Sequence, residues 1–156
     1  MRRIAILVAL VVALGACVAS SGPDHPNRPL SELTIASADG AVTLSVEVAR
    51  SPEQRARGLM GRTTLPADQG MVFLFDHPVH GRFWMKDTLI PLSIAFWDGR
   101  LRIVGILDME PCESDPCPTY GPADPYVGAV EANRGFFALH GVDVGDRVEL
   151  AESAYQ

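Results

Sequence analysis

The stretch Gly81–Asp98, GRFWMKDTLIPLSIAFWD, decides how this chain must fold. It places aromatic, thioether, cationic, anionic and hydroxyl side chains in one short segment that runs directly into an apolar strand. Because its large apolar side chains need a common core, the sequence predicts a domain built around them. Those side chains belong to Phe83, Trp84, Leu89, Ile90, Leu92, Ile94 and Phe96. Lys86, Asp87 and Thr88 should then lie at the edge of the core, where a polar group needs a hydrogen-bond partner.

The first residues have the features of an export signal. Arg2 and Arg3 precede the apolar run 4–14, which is too short for a comfortable bilayer span. Small residues stand directly before Cys17, which resembles the bacterial lipobox, where the cysteine receives lipid. We therefore expect residues 1–16 to be a lipoprotein-type signal peptide and Cys17 to anchor the protein in the periplasm or cell envelope. A plain secretory signal and a permanent transmembrane anchor are the alternatives.

Size and charge narrow the class of protein. The chain has 156 residues, 47% of them hydrophobic, which is typical of one globular domain with a leader. We assign residues 17–31 to a flexible tether and residues 32–152 to the domain. The formal net charge of −6 disfavours nucleic acids and anionic lipid headgroups as partners. Membrane attachment would therefore depend on acyl chains at the N-terminus.

Cys112 and Cys117 are the cysteines that remain beside Cys17. Export to an oxidising compartment, together with the prolines that flank both residues, favours a disulfide between them. A redox-active pair or half of a metal site fits less well, because the spacing is not Cys-x-x-Cys and the loop is acidic, which disfavours a reactive thiolate. Closing so short a loop would stabilise the fold by roughly 2 kcal/mol in the chain-entropy model.

Short apolar runs and turn residues predict many strands. Val42–Val48 alternates apolar and polar residues, and Asp39-Gly40 marks a hairpin turn before it. Ser51–Gln54 predicts a capped helix that continues to about Met60. Further strands are predicted at 34–36, 71–75, 92–97, 101–107, 126–130 and 147–150, and one helical turn at 136–139. This pattern favours a mostly β fold, an antiparallel β-sandwich or barrel-like domain with one short helix.

Several separated motifs resemble the pattern of one protein family. They are Glu53-x-x-x-Arg57-Gly58-Leu59-Met60-x-Arg62, Gly70-Met71-x-Phe73-x-Phe75, Phe83-Trp84-Met85-Lys86-x-Thr88-x-Ile90-Pro91-Leu92, Glu131-x-x-x-Gly135 and Gly145-Asp146-x-Val148. Their order and spacing resemble the DUF192 family of small, mostly exported bacterial and archaeal proteins. The resemblance implies a β-rich domain of unknown function and supplies no catalytic residues. Asp87 and Ser93 stand where the family pattern usually has Asn and Asp.

A set of polar and aromatic residues inside these motifs forms the candidate ligand-binding site. The set comprises Arg57, Trp84, Lys86, Asp87, Thr88 and Glu131. If they line one pocket with Trp84 as its wall, they could hold a small polar ligand such as a sugar or a peptide fragment. Alternatively, Lys86 or Arg57 pairs with Glu131 or Asp87 and ties the helix and loop to the sheet, the interpretation favoured here. Overall we predict a binding module for a small polar ligand or an envelope partner, with no cofactor.

Two other functions fit parts of the sequence. A Cu(I) site would use thioether and imidazole ligands, although methionine on apolar faces usually fills space. Its candidate ligands are Met60, Met71, His80 and Met85, with Met109 and Trp84. A hydrolase would draw its acid and base from Asp87, Asp108, Glu131 and His140. The sequence lacks Gly-x-Ser-x-Gly, His-Glu-x-x-His and phosphate-loop motifs, so no catalytic residue is assigned.

Overall fold

A computed structural model of the protein describes residues 29–155. The predicted signal peptide, Cys17 and most of the predicted tether lie outside this range. Within it, no helix combines the length and the apolar character that crossing a membrane requires. The strands are β1 Ser31–Ser37, β2 Gly40–Ala49, β3 Gln69–Val79, β4 Phe83–Trp84, β5 Leu92–Trp97, β6 Ile103–Met109, β7 Thr119–Tyr120, β8 Tyr126–Asn133 and β9 Arg147–Leu150. The helices are α1 Pro52–Arg57 and α2 Phe136–Leu139, followed by a 3-10 turn at Glu152–Tyr155.

Seven of the strands form one curled sheet in the order β6-β5-β8-β3-β2-β1-β9, while β4 and β7 form a separate two-stranded sheet. The large sheet is a half-barrel whose edges approach each other, since Arg102 before β6 bridges Arg147 of β9. The predicted mostly β class is therefore confirmed. Residues 29–155 contain two short α-helices, and the second is the helical turn predicted at 136–139.

The large sheet contains one parallel pair, which corrects the expectation of a purely antiparallel arrangement. β2 and β3 run in the same direction, with Val46 opposite Gly70 and Val48 opposite Val72. Parallel neighbours need a crossover connection, and the segment 50–68 supplies it with a helix of only six residues. So short a crossover lacks the long helical pattern by which parallel pairs are normally recognised in a sequence.

The start of α1 confirms the predicted capping box. Ser51 Oγ accepts a hydrogen bond from the Gln54 backbone N–H at 3.2 Å, and Gln54 Oε1 accepts one from the Ser51 N–H at 3.1 Å. The helix ends at Arg57 rather than near Met60, because Gly58 adopts a φ of +48°. Glycine enters this left-handed region readily, so it ends the helix at no steric cost.

The large sheet separates two hydrophobic cores. The α2-side core lies inside the curl and is mainly aliphatic, closed by Phe136 and Phe137 of α2. The α1-side core covers the other face and is rich in methionine and aromatic residues, among them Leu59, Met71, Phe73, Met85, Phe96 and Tyr126. Strand β5 is buried along its whole length, so its alternating side chains contribute to both cores.

The tryptophan at the centre of the core is Trp97 rather than Trp84. Trp97 is 2% exposed and packs over Gly128, where a Cβ atom would lie 2.2 Å from the indole ring. Trp84 is 49% exposed and Leu89 is 58% exposed, so the prediction that both are core residues is wrong. For Trp84 the reason is the alternation along β4, which turns Phe83 towards the core and Trp84 towards the surface, whereas Leu89 lies in the loop before β5.

The predicted disulfide between Cys112 and Cys117 is formed. The loop that it closes leads into β7, whose Thr119 lies opposite Trp84 in the two-stranded sheet. Lys86 also forms a backbone bridge with Cys112. The disulfide loop therefore supports the strand that carries Trp84 at the surface of the α1-side core.

Candidate functional site

A buried glutamate lies in the middle of the α1-side face of the sheet. Glu131 is 4% exposed, and its cross-strand neighbours are Met71 of β3 and Ile94 of β5, both fully buried. Its backbone is packed just as closely, since a Cβ atom on Gly70 would stand 2.4 Å from the Glu131 carbonyl oxygen. A carboxylate in such apolar surroundings is costly unless it is paired, hydrogen-bonded or protonated.

The surroundings of Glu131 favour the protonated form. Burial raises the pKa of Glu131 to about 8, because an apolar environment penalises the charged carboxylate. Within residues 29–155, no cation forms an ion pair with Glu131 and no hydrogen bond satisfies its carboxyl group. Near pH 7 this side chain is therefore neutral and offers one O–H donor together with an acceptor oxygen.

Glu131 reaches a small cavity beside the C-terminal end of α1, here named the Glu131 cavity. Its volume is about 30 Å³, enough for a water molecule. Arg55, Phe73, Phe83 and Met60 form part of its lining. The cavity also brings together four of the six predicted ligand-binding residues, namely Arg57, Trp84, Thr88 and Glu131. Their role in binding stays a prediction.

The other two predicted residues, Lys86 and Asp87, lie outside the cavity lining. Lys86 Nζ is 3.2 Å from Asp115 Oδ2 and 5.7 Å from the centre of the Trp84 ring. Asp87 is exposed, and its backbone carbonyl accepts a hydrogen bond from Gly61 N–H at 2.7 Å. The favoured ion pair between a cation of the site and Glu131 or Asp87 is therefore not formed in the described part of the chain. Lys86 instead contacts the disulfide loop, because β7 brings that loop to the rim of the site.

A second hollow adjoins the Glu131 cavity and shares Arg55, Ala56, Phe83 and Trp84 with it; we name it the Trp84 hollow. Its volume is about 220 Å³, and Phe75, Gly81, Arg82 and Tyr126 complete its lining. Arg55 and Arg82 were not among the predicted site residues. The position of Arg82, two residues before Trp84, was a usable signal, whereas Arg55 has the spacing of an ordinary surface residue on a helix.

The residues considered for copper binding have two different environments. Met71, Met85 and Met109 are fully buried in the α1-side core, where the flexible thioether side chain fills space. Met60 lines the Glu131 cavity, and His80 is exposed after β3. Copper binding by this set stays a prediction.

The residues considered for hydrolysis do not form one site. Asp108 accepts a hydrogen bond from Ser93, whose side chain faces the α2-side core, whereas Glu131 faces the α1-side core. His140 follows α2, and its ring centre lies 4.5 Å from that of Phe136. In the described part of the chain, no three His, Cys, Asp or Glu side chains are arranged to hold a metal ion. The sheet therefore separates Asp108 and His140 from Glu131.

Comparisons with known proteins agree with the motifs. The DUF192 family, described as Uncharacterized ACR, matches residues 34–150. A protein of unknown function from Novosphingobium aromaticivorans DSM 12444 is 32% identical over 83% of this chain and 94% of its own, with a TM-score of 0.75. A candidate transcription regulator from Sinorhizobium meliloti 1021 is 30% identical over 81% of this chain and 98% of its own, with a TM-score of 0.72. A search of curated proteins finds no match. With its motifs, its fold and most of its length in agreement, the chain belongs to the DUF192 family.

Proposed function

We propose that this protein is an exported, lipid-anchored binding module that holds a small polar ligand against Trp84, with a polar group of that ligand inserted beside Glu131. The observation that carries the proposal is the buried, unpaired carboxyl group of Glu131 in a cavity that an exposed tryptophan also lines. Convergent polar groups against an apolar wall are typical of small-molecule sites.

The chemistry of Glu131 defines what can enter the cavity. A buried polar group needs a hydrogen-bond partner, and a ligand group can supply it in place of water. The neutral carboxyl group can donate to one ligand atom and accept from another, as a hydroxyl or an amide group requires. The cavity of about 30 Å³ has room for only one such hydroxyl or amide group. A small ligand therefore fits better than the flat surface of an envelope protein.

Trp84 supports the same proposal from the outside. An indole ring that is 49% exposed leaves apolar surface in water, which a ligand can cover. Aromatic side chains also provide a large contact area with few rotatable bonds, so little entropy is lost on binding. Pairing of β4 with β7 fixes the strand that carries the ring.

Transcription regulation through direct contact with DNA is not part of this proposal. The formal net charge of −6 opposes binding to a polyanion, because DNA-binding domains concentrate positive charge. The N-terminal motif around Cys17 instead supports a position at the cell envelope.

A thermal-shift screen of the full-length chain tests the binding site. The compounds are sugars, sugar acids, amino acids and short peptides, and a binding class should raise the melting temperature by mass action. Trp84→Ala should abolish the shift, Glu131→Leu should weaken it, and Glu131→Gln should retain it, because glutamine keeps a donor and an acceptor. Tyr155→Ala is the matched control, since Tyr155 is an aromatic residue of similar exposure that does not line either hollow.

Two results would contradict the binding site. A shift that survives both Trp84→Ala and Glu131→Leu would place the ligand elsewhere on the protein. The absence of a shift with every compound class would remove the small-ligand proposal.

Fractionation of cells tests the lipid anchor separately. The full-length chain should sediment with membranes and carry acyl groups detectable by mass spectrometry, whereas Cys17→Ser should release it to the soluble fraction. The double variant Cys112→Ser/Cys117→Ser is the control and should stay with the membranes. Membrane retention of Cys17→Ser without acylation would show that another element anchors the chain.

A further inference from the structure

Positive charge gathers around Trp84 on a chain that is otherwise acidic. Arg55 and Arg57 line the Glu131 cavity with Trp84, and Arg55 and Arg82 line the Trp84 hollow. Lys86 Nζ lies 5.7 Å from the centre of the Trp84 ring. Four cations therefore surround one exposed indole, although the chain has a formal net charge of −6.

Three of these cations have no carboxylate partner. In the part of the chain that the structure describes, Arg55, Arg57 and Arg82 form no ion pair. Arg55 donates hydrogen bonds to the carbonyl oxygens of Arg50 and Leu74, and Arg82 donates to Thr119 Oγ1 at 2.9 Å. These contacts are to neutral acceptors, so they fix the guanidinium groups in place without neutralising their charge.

The nearby anions offset this positive charge only in part, since a hydrogen bond with Ser51 and, to a smaller extent, Arg55 lower the pKa of Glu53 without an ion pair between Arg55 and Glu53. Glu131 is neutral near pH 7, and Asp115 pairs with Lys86 at the rim. A cluster of positive charge with low-dielectric walls attracts small anions and raises their local concentration. Guanidinium groups also match the planar geometry of a carboxylate and the oxygens of a phosphate.

The size of the Trp84 hollow limits the size of the anion that can bind there. Its volume of about 220 Å³ lies below the range of roughly 300–1,000 Å³ that drug-sized ligands need. Trp84, which is 49% exposed, provides the aromatic wall on which a compact ring can rest, because Arg55 covers the Phe75 ring and Tyr126 is buried. A monosaccharide-sized body fits this description better than a peptide or a lipid headgroup with its chains.

From these observations we infer that the ligand is an anionic molecule of monosaccharide size, with its carboxylate or phosphate at Arg82 and Arg55 and its ring against Trp84. Arg57, which lines the adjoining Glu131 cavity, adds to the attraction. The inference rests on the binding site proposed above and specifies the charge of what that site takes.

Calorimetric titration of the full-length chain tests the charge requirement. D-galacturonate and D-glucose 6-phosphate are compared with the neutral parents D-galactose and D-glucose. At least one anion should bind more than about tenfold more tightly than its parent, and added salt should weaken it. The two anions separate a carboxylate site from a phosphate site.

Substitution of single arginines locates the anion. Arg82→Gln should weaken the tighter anion by about tenfold or more, and Arg57→Gln should weaken it by a smaller factor. Arg100→Gln is the matched control, because Arg100 is an exposed arginine in the turn between β5 and β6, away from both hollows. Circular dichroism of each variant confirms that it is folded.

Each alternative outcome overturns the inference in a recognisable way. Neutral parents that bind as tightly as the acids, or an affinity unchanged in both Arg82→Gln and Arg57→Gln, would remove the anionic ligand and leave the binding site standing. Failure of both anions to bind at millimolar concentration would also remove it. If the compound screen is negative as well, the binding site itself fails.

Discussion

The two faces of the large sheet differ in whether a buried polar side chain is hydrogen-bonded. On the α2 side, Ser93 Oγ donates to Asp108 and accepts from Gly135 N–H at 2.8 Å, so the hydroxyl joins β5, β6 and the turn before α2. On the α1 side, Glu131 is as well buried and no described residue satisfies its carboxyl group. A satisfied polar group holds a core together, whereas one that no described residue satisfies needs water or a ligand as its partner.

The two tryptophans repeat this division. Trp97 lies in the α2-side core, which is enclosed by the curl of the sheet and closed by α2. Trp84 lies at the surface of the α1-side core, which is covered by α1 and short irregular segments, by the two-stranded sheet and by the disulfide loop. In our proposal, the first face provides stability and the second presents the binding site.

The largest expected effect is on the free energy of unfolding, and it distinguishes Trp97 from Trp84. Trp97→Ala should lower the free energy of unfolding by about 3–5 kcal/mol, because it removes a buried indole and leaves a cavity over Gly128. Trp84→Ala should stay within about 0.5 kcal/mol of the parent, as most surface substitutions do. Urea unfolding of both variants measures this. Equal losses would mean that the two faces do not differ in their share of stability.

The next effect concerns the charge state of Glu131. The free carboxyl group loses its proton near pH 4.5, whereas the folded protein keeps it until about pH 8. The folded state therefore binds more protons in this window, and the free energy of unfolding falls as pH rises through it. By pH 7 the loss has an upper limit of about 3 kcal/mol, because each pKa unit corresponds to about 1.4 kcal/mol.

Replacement of this residue provides the test. Glu131→Gln should remove the fall in the free energy of unfolding between pH 4.5 and about 8. In the upper part of this range it should be more stable than the parent, as measured by urea unfolding at several pH values. Glu32→Gln, which replaces an exposed glutamate on β1, should keep the decline. A decline that persists unchanged in Glu131→Gln would contradict the buried neutral carboxyl group.

Loss of the disulfide should have a smaller and more local effect. Cys112→Ser/Cys117→Ser should lower the free energy of unfolding by about 2 kcal/mol, since the bridge closes a short loop. Because this loop leads into β7, amide hydrogen exchange should increase in β4 and β7 but not in the α2-side core. Increased exchange across both cores would show that the loop stabilises the whole domain rather than β4 and β7 alone.

Ser93→Ala should produce the smallest change and complete the comparison. It leaves the Gly135 N–H without its partner, which should cost about 1–2 kcal/mol at every pH between 4.5 and 8. Chemical denaturation across this range distinguishes it from Glu131→Gln, which should stabilise at the upper end. A strongly pH-dependent loss in Ser93→Ala would mean that Asp108 rather than the hydroxyl sets the effect.

Local patterns were sufficient to predict much of this fold. The Asp39-Gly40 hairpin, the alternation in β2, the capping box of α1 and the turn of α2 depend on neighbours in sequence. The parallel pairing of β2 with β3 depends on a distant contact and on a very short crossover, so periodicity could not reveal it.

Four residues that line the Glu131 cavity were predicted from the sequence, whereas Arg55, Arg82 and the geometry were not. Trp84 and Trp97 belong to the same apolar stretch, and only the pairing of β4 with β7 determines which one reaches the surface. Glu131 was recognised as a polar residue within a motif, yet its isolation depends on Met71 and Ile94 from two other strands. The expected ion pair was wrong for the same reason, because the disulfide loop brings Asp115 to Lys86.

The close approach at Gly70 has a consequence for genetic screens. Any side chain at this position would push against the main chain of β8 at the residue that carries the buried acid. A saturation library selected for ligand capture should therefore report Gly70 as intolerant, although it has no functional group to offer. Loss of capture at Gly70 would then report the spacing between β3 and β8 at Glu131. It would not show that Gly70 contacts the ligand.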